Sequence, residues 1–128
     1  MSEEYGPHML VDVSNCDVEK LNDPSFIWKF LDELPGKIGM TKISPPYVLR
    51  FPALEQVGGV TGFVIIAESH ISIHTYPEKN YFFLDVFSCK EFDVNKTKKY
   101  IFRKFKVRAY KSRKNISCNT ETNGLVIG

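Results

Sequence analysis

The 128-residue chain has few of the residues that announce a common site. It has only three cysteines, Cys16, Cys89 and Cys118, and no CxxC pair among them, which excludes a zinc ribbon and a thioredoxin-type centre. An odd, widely spaced set suits a reducing, cytoplasmic setting rather than a disulfide framework. No run approaches the roughly 18 apolar residues of a membrane span. The polar, acidic start, MSEEYGPHM, is not a secretory signal, so the glycosylation-type triplets at Asn95 and Asn115 read as chance. No GxSxG elbow, HExxH pair or glycine-rich phosphate loop is present, and no metal is expected. The formal net charge is only +2, which gives no general reason to expect nucleic acid or an anionic membrane as partner.

What is present is the make-up of one folded domain. Hydrophobic residues reach 43% and aromatics 13%, enough to bury a core and too many for a disordered chain. His8 to Val13 alternates as a strand. Asn22 or Asp23 can cap a helix with Pro24 in its first turn. Phe26, Ile27, Phe30, Leu31 and Leu34 then share one helical face, and Pro35-Gly36 is expected to end or kink it. Met40 to Phe51 reads as extended, with Pro45-Pro46 marking an edge or bulge, and Pro52 to Gly59 as a loop. Val60–Ala67, Ile71–Thr75 and Tyr81–Phe87 form the densest strand signal. Asp93 is a helix cap ahead of the stripe Val94, Thr97, Ile101 and Phe105. Short strands are expected at Val107–Tyr110 and Leu125–Ile127. The order β-α-β-β-β-β-α-β predicts an α+β fold: a two-layer α/β sandwich, with an antiparallel sheet and helices packed on one face. The bare sheet face then needs cover, which a dimer could supply.

From Lys98 to Lys114 there are nine basic residues and no acidic one. With no known motif in it, the stretch reads as a solvated helix face and strand edge rather than a nucleic-acid site.

Polar residues capable of chemistry crowd into one window, Ala67-Glu68-Ser69-His70-Ile71-Ser72-Ile73-His74-Thr75-Tyr76-Pro77-Glu78, with Cys89 one strand later. Serine, histidine and cysteine could form a nucleophilic site, although Ser-His pairs at this spacing are common by chance. The residues alone go no further than that.

The string ESHISIHTYPE, followed by DVFSC, closely resembles the self-processing site of the prokaryotic S-adenosylmethionine decarboxylase proenzymes, small pyruvoyl-dependent enzymes. The likeness is dense from Gly59 to Cys89, and Gly6-Pro7-His8 resembles the family's opening strand. It implies cleavage at Glu68-Ser69, giving fragments 1–68 (the β chain) and 69–128 (the α chain), with Ser69 becoming a covalent pyruvoyl cofactor. His74 would assist processing, as would Thr61, which stands where the family usually has serine. The pyruvoyl ketone would form a Schiff base with S-adenosylmethionine, and its carbonyl system would take up electrons as carbon dioxide leaves. Cys89 matches the family's proton donor. Glu78 matches the acid that receives the ribose hydroxyls, since a carboxylate accepts two hydrogen bonds from a diol. Tyr76, where the family often has tryptophan, and Phe51 and Ile71 complete the implied substrate contacts; an aromatic face favours a sulfonium. The product would be the aminopropyl donor for spermidine, and the working form a homodimer of processed protomers, with no nucleic acid or membrane partner. Two other readings fit parts of the pattern. One is a decarboxylase with the same machinery acting on arginine or ornithine. The other is an unprocessed, non-catalytic homologue serving as a partner subunit.

Overall fold

The structure, a computed structural model, describes residues 8–51 and 59–107. The expected strands at Val107–Tyr110 and Leu125–Ile127, the loop from Pro52, Asn115, Cys118 and the basic residues beyond Val107 fall largely or wholly outside that range. Val107 itself is not in a strand.

Five strands form one antiparallel sheet: β1 (His8–Ser14), β2 (Tyr47–Phe51), β3 (Gly59–Ile66), β4 (Ser69–Tyr76) and β5 (Tyr81–Phe87). Their spatial order is β1-β5-β4-β3-β2, so β4 is central and β1 and β2 are the edges. Pro45-Pro46 precedes the edge strand β2, where a proline's missing N–H is harmless. Strict alternation decides the two faces. Val60, Val64, Ile66, Ile71, Ile73, Phe82, Leu84 and Val86 are buried on one side. Phe63, Ile65, Tyr76 and Phe83 on the other side each keep about 40% of their surface exposed.

The helices cover the first face. A single turn, α1 (Val18–Leu21), is capped by the Asp17 carboxylate, which accepts from the Glu19 N–H. The long helix α2 (Pro24–Lys37) is capped by Asp23, which accepts from the N–H groups of Ser25 and Phe26. It buries Ile27, Phe30, Leu31 and Leu34. The expected break at Pro35-Gly36 does not occur there. Pro35 lies in the last turn, so its missing donor removes one bond only, and the Ile38 N–H still bonds the Leu34 carbonyl. Helix α3 (Val94–Lys104) is capped by Asp93 and buries Thr97, Tyr100 and Ile101. Phe105 just beyond it packs against Phe30 and Phe82, with ring centroids 4.9 and 4.4 Å apart. The fold is therefore the expected two-layer α+β sandwich, with one sheet face left bare by the described residues.

Gly62 sets how closely α2 approaches β3. A Cβ there would lie 2.8 Å from Leu31 Cδ1 and 3.2 Å from the Tyr47 carbonyl oxygen. Gly62→Ala is expected to lower stability by about 1–3 kcal/mol through overpacking. A fall in the urea midpoint, with the slope unchanged, checks it.

Candidate active site

The hairpin joining β3 to β4 has two turn residues, Ala67 and Glu68, with Ile66 opposite Ser69. Two-residue hairpins favour asparagine or glycine, and neither is present. Ser69 opens β4, and its hydroxyl is buried without a hydrogen-bond partner among the described residues. The Cys89 thiol, just past the end of β5, donates to the Glu68 carbonyl oxygen at 3.5 Å. That oxygen belongs to the Glu68-Ser69 peptide bond. The sheet thus brings Glu68, Ser69 and Cys89 together at one end, although Cys89 follows Glu68 by 21 positions.

His74 is not with them. It lies five residues along β4, about 17 Å away at the usual rise per residue. An odd spacing also puts its side chain on the opposite face from that of Ser69. On the bare face His74 pairs across the ladder with Thr61, His74 Nδ1 lying 3.2 Å from Thr61 Oγ1. Tyr76 follows on the same face and packs against Tyr81 and Phe83. Glu78 is exposed in the short 3-10 turn Pro77–Lys79 that ends β4. His74, Thr61, Tyr76 and Glu78 therefore mark a second group, toward the other end of the same sheet.

Ile71 is not where a substrate contact was expected. It has no exposed surface and points into the helix-covered core, so it cannot line a substrate site. Phe51 closes β2 opposite Gly59, and its side chain is outside the described part. Cys16 is buried, and that burial, with Asp17 adding to it, pushes its thiol up from 9.0 to about 12. It will be inert beside the exposed Cys89. In a Cys118→Ser background, iodoacetamide is expected to label Cys89 alone in the folded protein, read as a single adduct by mass.

A further cluster joins the two groups. His8 Nε2 lies 2.6 Å from Asp85 Oδ1, and His70 Nε2 lies 3.4 Å from Asp85 Oδ2. Beside it, Leu10, Asp12, Ser72, His74, Phe83 and Asp85 line a hollow of about 330 Å³ on the bare face. Asp12 and Asp85 make it acidic and Phe83 gives it an aromatic wall, a setting suited to a cationic small molecule. Sequence reasoning missed Asp12 and Asp85. The available signal was an acid inside each of two apolar strands, HMLVDV and YFFLDVF. Among the described residues no set of side chains is arranged to hold a metal ion, and no helix is long and apolar enough to cross a membrane.

This geometry can be set beside known proteins. The chain is 41% identical over 107 residues to the S-adenosylmethionine decarboxylase proenzyme of Pyrococcus furiosus, covering 83% of this chain and 73% of that one. It is 36% identical over 99 residues to the proenzyme of Bacillus velezensis, covering 77% of this chain and 75% of that one. The crystal structure of the adenosylmethionine decarboxylase from Aquifex aeolicus superposes with a TM-score of 0.74 at 29% identity, over 98% of this chain and 96% of that one. The sequence profile of S-adenosylmethionine decarboxylase matches residues 7–116, which takes in both residue groups on the sheet, and the chain belongs to that family.

Proposed function

We propose that this chain is a proenzyme that cuts itself between Glu68 and Ser69 and then decarboxylates S-adenosylmethionine. The observation that carries the reading is the Cys89 thiol held on the carbonyl oxygen of that one peptide bond, beside a buried serine hydroxyl with no hydrogen-bond partner among the described residues. Ser69 Oγ attacks the Glu68 carbonyl carbon, and the amide becomes an ester. Loss of the Ser69 α-proton then expels the Glu68 carboxylate and leaves dehydroalanine. Water converts this to a pyruvoyl group and releases ammonia. A buried, unpartnered hydroxyl fits this role, because it has no competing hydrogen bond to give up.

Once in place, the pyruvoyl group supplies a carbonyl that joins the substrate amine and draws electrons as carbon dioxide leaves. The other side chains bind and move protons. His74, steadied by Thr61, is an imidazole suited to proton transfer near neutral pH. Cys89, beside the Glu68-Ser69 bond, returns a proton to the substrate in this reading. Asp12 and Asp85 favour a cationic substrate in the hollow. Glu78 can take the ribose hydroxyls and Tyr76 a ring face.

One chain cannot complete this site, because His74 is about 17 Å along the strand from Ser69 and faces the other way. We infer that a second copy, related by a twofold axis, lays its sheet against the bare face. The His74–Glu78 end of one copy then meets the hairpin end of the other, where the main chain of the Glu68-Ser69 bond lies in the plane of the sheet and is approached from the bare face, opposite the Ser69 side chain, and the pairing closes two equal composite sites. The partly exposed Phe63, Ile65, Tyr76 and Phe83 on this face support that contact.

Carboxyl-labelled S-adenosylmethionine, arginine and ornithine, each offered to the purified protein, test the substrate. Labelled carbon dioxide is expected from S-adenosylmethionine. Release from arginine or ornithine alone would overturn the assignment.

A further inference from the structure

The helix layer carries a feature that neither cleavage nor decarboxylation uses. Between the C-terminal end of α2 and the flank of α3 lies a depression of about 290 Å³. Its lining includes Lys37, Lys96, Lys99 and Arg103, together with Thr97 and Tyr100, and no carboxylate. Among the described residues none of these four cations is in an ion pair. The nearby acids are already engaged: Glu33 pairs with Lys104 at 3.6 Å, and Asp93 caps α3. Tyr100 is 8% exposed, and its hydroxyl is buried with no partner among the described residues. Lys37 and Arg103 stand over its ring at 5.9 and 5.7 Å from the centroid.

Four cations gathered on one hollow repel one another, and a buried hydroxyl without a partner is costly. An anion with several oxygens would relieve both. The basic run that begins at Lys98 is thus not only a solvated face, since Lys99 and Arg103 turn toward the same cavity as Lys37 from another helix. The small, concave volume fits a short charged group better than an extended strand, which needs a track and stacking rings. The hollow lies on the helix side, so a partner seated on the bare sheet face leaves it open.

We propose that this depression binds the phosphate chain of a small phosphorylated molecule, with Lys37, Lys96, Lys99 and Arg103 meeting the charge and the Tyr100 hydroxyl donating to one oxygen. Isothermal titration calorimetry of the full-length protein with inorganic tripolyphosphate, at low ionic strength where exposed charges are least screened, tests it. One saturable site per chain is expected. Tyr100→Phe should weaken binding about tenfold, the usual scale for a hydrogen bond to a charged acceptor. The double change Lys99→Gln, Arg103→Gln should weaken it about a hundredfold, and neither variant should alter chain cleavage. Because the Tyr100 hydroxyl has no partner among the described residues, Tyr100→Phe removes none of the hydrogen bonds seen in the fold, so lost affinity reports the ligand. No binding by the unaltered protein, or binding unchanged in both variants, would overturn the proposal. So would a single-stranded oligonucleotide that binds and is not displaced by tripolyphosphate.

Discussion

Co-expressed with a Ser69→Ala chain, a His74→Ala chain is expected to be cut, although alone it should cut about 10²–10⁴ times more slowly than the unaltered protein, the usual contribution of a positioned proton-transfer group. The asymmetry follows from the proposed twofold pairing. Ser69 opens β4, and His74 sits opposite Thr61, five residues on. In a mixed pair, one composite site has an intact Ser69 from the His74→Ala chain and an intact His74 from the Ser69→Ala chain. The other site has neither. The His74→Ala chain should therefore be cut and the Ser69→Ala chain should stay whole, which differently tagged chains on a denaturing gel would reveal. Two results would refute the shared site: a His74→Ala chain no better cut in the mixture than alone, or one that cuts normally without help.

The second large effect separates the two reactions. Cys89→Ala is expected to cut its chain, slowed only a few-fold, because a thiol is a weak donor to the Glu68 carbonyl. Decarboxylation should then fall about 10²–10⁴-fold, as expected for loss of a general acid, or return the proton to the wrong carbon. Fragment formation measured beside release of labelled carbon dioxide resolves the two steps. A Cys89→Ala protein that is fully cut and releases carbon dioxide at the normal rate would remove Cys89 from the chemistry.

The elements with a strong period were legible in the sequence. Alternation located β3, β4 and β5 to within two residues, and the Asp23 and Asp93 caps located α2 and α3. The single turn α1 was not, because four residues carry no periodicity and only the Asp17 cap marks it. Pro35 read as a stop because the sequence does not show that it falls in a final turn. The candidate residues stood out in the sequence, but their arrangement did not. Ser69 and His74 look adjacent when counted along the chain, yet a strand carries them far apart and onto opposite faces. Cys89 looks distant and is brought to the Glu68 carbonyl by the pairing of β4 with β5. Ile71 was misplaced for the same reason, since its parity turns it into the core. The Asp85 link to His8 and His70 depends on three strands lying side by side, which no local pattern encodes.

Self-cleavage is the central claim, and the intact mass of the purified, unaltered protein tests it most directly. Two species are predicted: residues 1–68 ending in Glu68, and residues 69–128 lighter than their sequence by one ammonia, with an N-terminus closed to Edman degradation. Ser69→Ala should give one whole chain. A single unaltered chain of full mass that persists on incubation would contradict the account.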